Sequence, residues 1–436
     1  MSALVFTNTT TPRLQYIVAF VSDTFFNKQL QLTNNSALYQ SHSGFKINYS
    51  AERISASELH IQPVDLLFEK NITQQIIECF DWQGLKVFFR TGGDISFDIF
   101  AATFYLISRY EEYLPHAKDE FGRYAHINSL AFREHFLHLP LVNMWWNKLL
   151  LLVSKKYQYS PQNNPPASFQ FIPTYDVDIA FSYKAKGFIR AAGGLIKAIR
   201  NGNIKAVNER IDVLAGKKKD PFDTFEWLCN LHNQHHLDPV YFFLLAEKNK
   251  AYDKNNLPHA PAMKQLIAHH ADCYSIGIHP SWQSNKSFDA LWKEIKLLHH
   301  LTGKRITKSR QHYIKMILPQ TCRLLTDAGI THDYSMGYGS TNGFRASATS
   351  PFYWYDVERD KATHLLLHPF CYMDANAIFE QQLTPEKAAH ELEQYCAIVK
   401  EVNGNLITIF HNHFLTEQPE WLSWRKVYEV FLNKHF

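Results

Sequence analysis

Seven short apolar runs, separated by stretches with helical spacing, recur along the chain after residue 168. They are residues 169–174, 240–245, 273–278, 308–313, 330–335, 363–368 and 406–410. Strands that helices cover on both faces need continuous apolar runs of this length, whereas half-exposed strands alternate apolar and polar residues. The pattern therefore predicts an α/β fold for residues 168–436, in the form of an irregular or incomplete (β/α) barrel.

A break in composition separates these runs from the first part of the chain. Residues 160–170, SPQNNPPASFQ, contain consecutive prolines and amides, which cannot continue a helix or a central strand. With 436 residues, the chain is long enough for two domains. We therefore predict a smaller α+β domain over residues 1–160, in which residues 15–21 form a strand, and leave its role open.

One polar segment of this first domain has two interpretations. Residues 109–113, RYEEY, carry one arginine and two glutamates between aromatic residues. They are either a functional surface or the end of a helix with charge pairs one turn apart.

Composition and missing motifs exclude several classes of protein. The formal net charge of +4 gives no global field for nucleic-acid binding. The six cysteines are far apart and form no C-x-x-C pair, so we expect reduced thiols. The N-terminus lacks the pattern of a signal peptide, and no apolar run approaches the roughly 20 residues of a membrane span. These features predict a soluble cytoplasmic protein, and the absence of a phosphate loop, a serine elbow and a Rossmann fingerprint disfavours nucleotide, serine hydrolase and dehydrogenase chemistry.

The segment 184–219 is strongly basic. It contains ten lysines and arginines against two acidic residues, interleaved with apolar residues at helical spacing. It predicts a basic helical insertion whose charged face is either solvated, or in peripheral contact with an anionic membrane surface, or bound to an acidic polymer.

Polar residues capable of catalysis follow five of the apolar runs. In chain order they are Asp176 with Asp178, His279, Arg310 with His312, Asp333, and His411 with His413. Carboxyl ends of parallel strands meet at one face, so we expect these side chains to converge. Two close carboxylates cannot both ionise in a buried site without a cation, which predicts a metal beside imidazoles. The alternative is that one aspartate caps a helix and the other forms a salt bridge.

The motifs around these residues resemble those of a known family. TYDVD (174–178), IGIH (276–279), SRQHY (309–313), DYS (333–335) and LITIFH (406–411) occur in the order of the five motifs of polysaccharide deacetylases, carbohydrate esterase family four. The resemblance covers residues 168–415, and the first part of the chain resembles an uncharacterised domain that precedes deacetylase-like domains in some bacterial proteins. It implies a metal-dependent hydrolase, with Zn²⁺ as the expected ion, that removes an N- or O-acetyl group from a saccharide or glycoconjugate.

The resemblance also assigns metal ligands. It implies that Asp176 is the general base and that Asp178 and His279 bind the metal. The family carries a second histidine four residues after the first, and this chain has Gln283 there. His312 stands where the family normally has proline, so it either replaces the missing ligand or faces the substrate.

Further roles follow from the same resemblance. Arg310 would orient Asp176, and His411 would protonate the departing amine, because an imidazole titrates near neutral pH. Asp333 is the predicted partner that orients His411. The backbone N–H of Tyr313 would share the developing oxyanion with the metal.

Substrate contacts and alternative functions are less closely defined. Trp282 and Tyr313 are predicted to contact the sugar, and Arg345 to bind a sugar hydroxyl or an acidic group, or else to form an ordinary ion pair. Because Gln283 replaces a ligand, the alternative function is a non-catalytic deacetylase-like protein that binds a glycan or an assembly partner. The pair His411 and His413 also matches the H-x-H of amidohydrolases, but its position on the last run disfavours that class.

Overall fold

A computed structural model describes residues 3–159, 168–249 and 252–436 of the chain. The predicted boundary segment falls largely on residues 160–167, which lie outside the described residues. The division into domains at residue 160 therefore stays a prediction.

The N-terminal region contains a four-stranded parallel sheet in the order β2-β1-β3-β4 and a separate antiparallel hairpin, β5-β6. Its strands are β1 (Ala3–Phe6), β2 (Leu30–Thr33), β3 (Phe45–Tyr49), β4 (Leu59–Ile61), β5 (Phe80–Trp82) and β6 (Leu85–Val87). Its α-helices are α1 (Pro12–Phe25), α2 (Ser36–Ser41), α3 (Ile99–Ile107), α4 (Leu130–Arg133) and α5 (Leu141–Tyr157).

Helix α1 corrects one prediction, because it contains residues 15–21, which we expected to form a strand. The Thr11 side chain caps the helix by accepting a hydrogen bond from the Leu14 N–H, and Pro12 occupies the first turn. Most of the helix is buried, so its sequence lacks the broad polar face that separates helical periodicity from that of a strand.

The C-terminal region is built on a nine-stranded sheet in the order β12-β13-β11-β10-β9-β8-β7-β15-β14. The strands are β7 (Gln170–Val177), β8 (Val240–Leu244), β9 (Ser275–His279), β10 (Lys308–Ser309), β11 (His332–Met336), β12 (Phe352–Asp356), β13 (Lys361–Pro369), β14 (Tyr372–Met373) and β15 (Asn405–His411). Neighbouring strands are parallel except for the antiparallel pair β12-β13. The order has two ends, so the barrel is incomplete, and the predicted α/β class is confirmed.

Helices separate most of the strands of this sheet, whereas β11 to β14 follow one another without an α-helix between them. The helices are α6 (Phe188–Arg200), α7 (Ile204–Leu214), α8 (Phe225–Gln234), α9 (Pro261–Cys273), α10 (Phe288–Thr302), α11 (Gln320–Asp327), α12 (Pro385–Glu401) and α13 (Leu422–His435). Helices α6 and α7 lie within residues 184–219, the segment predicted to be a basic helical insertion. No helix of the described part of the chain is both long and apolar enough to cross a membrane.

One continuous hydrophobic core joins the two regions. Helix α1 lies against strands β12 and β13, where the Tyr16 ring packs 4.8 Å from the Tyr355 ring and Phe20 meets Phe352 edge-on. The N-terminal region therefore covers the β12 end of the large sheet through apolar contacts, and its later segments reach the carboxyl ends of the strands.

Candidate metal centre and active-site cavity

The two aspartates at the end of β7 face the same histidine. The Nε2 atom of His279 lies 3.8 Å from Asp176 Oδ2 and 3.2 Å from Asp178 Oδ1. All three side chains are buried or nearly so. The i, i+2 spacing on an extended segment thus brings both carboxylates to one side of the sheet edge.

Asp176 is held by a buried arginine. Arg310 Nη1 donates to Asp176 Oδ1 at 3.1 Å and to Thr174 Oγ1 at 2.6 Å, while its Nε donates to the Tyr334 carbonyl at 3.0 Å. The guanidinium also lies over the Phe242 ring. With Oδ1 engaged in this way, the free Oδ2 of Asp176 is the atom directed at the histidine.

His279 and His312 both direct Nε2 at Asp178. The His312 Nε2 atom lies 3.7 Å from Asp178 Oδ2. The Nδ1 atom of His279 lies 2.5 Å from the Arg310 carbonyl oxygen, and that of His312 lies 3.0 Å from Asp253 Oδ1. These acceptors favour a proton on Nδ1, which leaves the Nε2 lone pairs free to bind a cation.

Asp253 contacts both Gln283 and His312, the two residues that could replace the missing histidine. Its Oδ1 accepts a hydrogen bond from the Trp282 N–H at 2.7 Å, and its Oδ2 accepts one from Gln283 Nε2 at 3.0 Å. The exposed Gln283 side chain is therefore engaged by Asp253. His312 is the side chain that approaches Asp178 and His279.

His411 completes the cluster from the end of β15. Its Nε2 lies 3.7 Å from Asp178 Oδ2, and its Nδ1 lies 2.6 Å from Asp374 Oδ1. Asp374 follows β14, and its other carboxylate oxygen accepts the His411 backbone N–H at 2.7 Å. The carboxylate that orients His411 is thus Asp374.

This contact corrects the partner predicted for His411. Asp333 instead accepts hydrogen bonds from the Ser309 hydroxyl at 2.6 Å and from the backbone N–H of Ser335 at 2.8 Å. The Asp333 carboxylate thus links β11 to Ser309 of β10, so Asp333 stabilises the sheet that carries the site. Sequence reasoning missed Asp374 because β14 has only two residues and leaves no recognisable run.

The charges shift the pKa values of two groups in opposite directions. Burial opposes ionisation of Asp178, but the nearby His312, His279 and His411 outweigh it and hold its pKa well below the usual range. Burial also lowers the pKa of His411, but the charge and hydrogen bond of Asp374 raise it to about 9. In the absence of a cation, His411 therefore carries a proton at neutral pH.

The residues fit a divalent cation. One ligand atom each from Asp178, His279 and His312 can be chosen so that all three lie within 4.8 Å of one another. Asp178 Oδ1 is buried and accepts no hydrogen bond from the described residues. Two imidazoles and one carboxylate form a donor set that suits Zn²⁺.

A cavity of about 400 Å³ opens over this cluster. The five groups Asp176, Asp178, His279, His312 and His411 line its floor. Phe121 and Arg123 of the N-terminal region line its wall, together with Tyr252 and Tyr313. Both regions of the chain therefore shape the space above the predicted ligands.

Arg123 connects the N-terminal region to the predicted oxyanion site. Its Nη1 donates to the Tyr313 carbonyl oxygen at 2.6 Å, and its Nε donates to Asp119 Oδ2 at 2.6 Å. Tyr313 has a φ of 58°, in the left-handed region that side chains disfavour. The Arg123 hydrogen bond thus helps to hold the backbone of Tyr313 in this conformation.

Trp282 lies behind the cavity wall. Its ring packs 4.3 Å from Tyr252 and 5.8 Å from Tyr313, and the Lys315 ammonium lies over its face. Trp282 therefore supports the two tyrosines that line the cavity, and its predicted contact with the sugar stays a prediction.

Arg345 forms an ion pair, which was the alternative to its predicted role as a substrate contact, but the pair is buried. Arg345 is 2% exposed, and its Nε and Nη2 donate to the two carboxylate oxygens of Glu112 at 2.8 Å and 2.5 Å. This bidentate pair joins the two regions of the chain. Its partner could not be recognised from the sequence because the two residues are far apart along the chain.

Comparisons with known proteins identify two separate likenesses. Residues 3–158 match the model of DUF7033, a family of unknown function. No curated protein matches the chain.

Several solved structures are similar to the chain. A probable polysaccharide deacetylase from Pseudomonas aeruginosa PAO1 has a TM-score of 0.38 at 12% identity, covering 62% of this chain and 88% of that one. A polysaccharide deacetylase from Bacillus cereus has a TM-score of 0.31 at 8% identity, covering 61% and 88%. A family four pseudoenzyme from Bacillus anthracis has a TM-score of 0.27 at 9% identity, covering 49% and 58%. These three similar structures are thus two polysaccharide deacetylases, one of them described as probable, and one pseudoenzyme, and residues 3–158 of this chain match the DUF7033 model.

Proposed function

We propose that this protein is a metal-dependent hydrolase that removes an acetyl or related acyl group from an amide or ester of a saccharide or glycoconjugate. One observation carries the proposal. Three imidazoles, each held at Nδ1 by an acceptor, direct Nε2 at Asp178, just after β7, on the floor of a cavity. The saccharide class rests on the five motifs that resemble those of the deacetylases.

The ligands proposed for the cation are Asp178, His279 and His312. When bound, a divalent cation supplies Lewis-acid polarisation of an acyl carbonyl and of a water molecule. The Arg310 carbonyl and Asp253 keep both imidazoles in the tautomer that binds metal, which is the usual function of such partners.

Asp176 is the proposed general base. Arg310 fixes its Oδ1, so that Oδ2 faces the cation ligands. A water molecule in the cavity can therefore give its proton to Oδ2 as its oxygen attacks the acyl carbon.

His411, whose Nε2 also faces Asp178, is the proposed general acid. Asp374 holds the proton at Nδ1, which leaves Nε2 facing the cavity. Protonated His411 donates its Nε2 proton to the departing amine or alkoxide, which is a poor leaving group without it. The Asp374 carboxylate stabilises the positive charge of the His411 imidazolium before this proton is transferred.

Metal content is the first test. Purified protein should hold about one divalent ion per chain, removable by a chelator and restored by Zn²⁺. Asp178→Asn and His312→Gln should each lose it. Gln283→Ala is the matched control, because Gln283 points at Asp253 and should leave the stoichiometry unchanged.

Hydrolysis is the second test. Metal-loaded protein should release acetate from acetylated oligosaccharides or from a small aryl acetate, and Asp176→Asn should abolish release while metal stays bound. A chain that binds metal but releases no acetate from either substrate would favour the non-catalytic, glycan-binding alternative. A chain that binds no metal after reconstitution would overturn the proposal.

A further inference from the structure

Helices α6 and α7 form a hairpin that stands on the barrel between β7 and α8. Arg210 on α7 donates to the Ala191 carbonyl on α6 at 2.6 Å, so the two helices run antiparallel. Residues 201–203 connect them at the tip.

The base of this hairpin is firmly attached. The Asp220 carboxylate accepts the backbone N–H groups of Ser182, Tyr183 and Lys184 at 2.7 to 3.0 Å. Arg190 donates to the Asn255 carbonyl at 2.7 Å. The hairpin therefore projects from a fixed base, and the exposure of its tip is not the result of a loose attachment.

The surface of the hairpin is unusually apolar. Its large exposed aliphatic residues are Ile196 at 56%, Ile199 at 60%, Ile204 at 71%, Ile211 at 53% and Leu214 at 55% exposure. Ile196 and Ile199 are one turn apart on α6, and Ile204 and Ile211 are two turns apart on α7, so each pair shares a side of its helix. Such a set on a small projecting element indicates a surface that something else covers.

Basic residues surround these aliphatic side chains. Lys197, Arg200 and Lys205 are exposed around the tip, within a segment of ten basic and two acidic residues. One of the acids, Glu209, is already paired with Lys218. The hairpin thus presents aliphatic and cationic groups together. Its positive charge favours an anionic binding partner.

We infer that the α6-α7 hairpin binds the surface of an anionic lipid bilayer. Aliphatic side chains that enter the interface beside lysines and arginines that contact acidic headgroups are the combination by which interfacial helices attach. Exposed aliphatic side chains on two helices of a projecting hairpin fit a deformable lipid surface better than a rigid groove of another protein.

The base of the hairpin also lies next to the cavity. Ile179 lines the cavity at the start of the segment that leads to α6, and Lys254 lines it next to Asn255, which binds Arg190. Two segments, one after β7 and one before α9, therefore contribute to the cavity and to the base of the hairpin, and the proposed binding does not depend on the proposed hydrolysis.

Vesicle sedimentation tests the inference. The full chain should bind vesicles with about one third phosphatidylserine but not pure phosphatidylcholine vesicles, and binding should weaken as salt rises from about 0.1 M to about 0.5 M. Ile199→Ser with Ile204→Ser, and separately Lys197→Glu with Arg200→Glu, should each weaken binding by about tenfold or more.

Matched variants outside the hairpin control for general changes in polarity and charge. Ile76→Ser with Leu38→Ser removes exposed aliphatic groups, and Lys70→Glu with Lys155→Glu reverses exposed charges; neither pair should change binding. Circular dichroism checks that every variant is folded. Failure to bind anionic vesicles at low salt, hairpin variants that bind like the parent, or binding to a soluble polyanion such as heparin without vesicle binding would each overturn the inference.

Discussion

Two buried clusters of charged side chains in this protein have opposite properties. The site cluster consists of Asp176, Asp178, His279, His312 and His411 at the ends of the strands. The ion-pair cluster consists of Arg109, Glu111, Glu112 and Arg345, where the N-terminal region meets the barrel. Both are almost completely shielded from solvent, so burial alone does not distinguish them.

The difference lies in whether the carboxylate oxygens have donors. Glu112 accepts from Arg109 and Arg345, and Glu111 accepts from Arg109 and from the Leu130 N–H, so that all four oxygens are hydrogen-bonded. Asp178 Oδ1 accepts no hydrogen bond from the described residues, and three Nε2 atoms point toward the same carboxylate. A buried cluster whose carboxylate oxygens all have donors joins the two regions of the fold, whereas a carboxylate with an unpartnered oxygen that faces imidazole nitrogens is suited to a ligand.

The largest expected effect comes from changing the unsatisfied carboxylate. Asp178→Asn should remove metal binding and lower hydrolysis by more than about 10³-fold, or ~4 kcal/mol, because a charged ligand is replaced by a weak neutral one. The thermal midpoint of the parent protein should rise when Zn²⁺ is added, and that of the variant should not. A variant that retained metal with parental affinity would contradict the assignment of Asp178.

The ion-pair cluster should respond in the opposite way. Glu112→Ala leaves two buried guanidinium groups without their shared partner, so we expect the free energy of unfolding to fall by about 3 kcal/mol or more. Metal stoichiometry should stay unchanged. Urea unfolding and metal analysis measure the two quantities on the same sample.

A surface pair provides the control for this variant. Lys86 and Glu134 are each 37% exposed and form a salt bridge of 3.0 Å. Glu134→Ala should cost less than about 1 kcal/mol, because solvent screens the exposed pair. If Glu112→Ala and Glu134→Ala lowered the free energy of unfolding equally, breaking the buried ion-pair cluster would cost no more than breaking an exposed salt bridge.

A smaller effect is expected from the partner that holds His312. Asp253→Asn keeps the size of the side chain but weakens the acceptor for His312 Nδ1, so the affinity for Zn²⁺ should fall by about 10- to 100-fold. Competition with a chromogenic chelator measures it. Gln283→Ala should change the affinity much less, and the reverse order would assign the third ligand to position 283.

The two clusters also show what the sequence could predict. Asp176, Asp178, His279 and His411 were found because each ends or follows a buried strand, and the ends of parallel strands meet at one edge. Asp374 follows the same rule, but two-residue β14 is too short to leave a pattern.

Contacts between distant segments could not be predicted in this way. Asp253 lies in a loop well beyond the end of β8, and it meets His312 only because tertiary packing folds that loop over the cavity. Glu112 and Arg345 belong to different regions, and nothing in their local sequences specifies the pairing. The RYEEY segment follows the end of α3 and contains a charge pair one turn apart, Arg109 with Glu112, as one of its two interpretations expected. What the sequence could not show is that Arg109 adopts a left-handed conformation and that these charges are buried against the barrel.

The smallest predicted effect is a difference in acid sensitivity that reports on the ion-pair cluster alone. Burial opposes ionisation of Glu112, but Arg345 and Arg109 outweigh it and lower its pKa from 4.5 to about 2. A carboxyl group whose pKa is lower in the folded state contributes stability above about pH 4.5, and this contribution is lost as the pH falls toward 2.

Between about pH 6 and about pH 3.5, the parent protein should therefore lose roughly 1 kcal/mol more stability than Glu112→Gln, which has no proton to bind. Burial instead raises the pKa of the neighbouring Glu111, which is present in both proteins and so cancels in the comparison. Urea unfolding at the two pH values measures the difference. If both proteins lost the same free energy of unfolding, the arginines would not lower the pKa of Glu112. Paired charge would then not explain the difference between the two clusters.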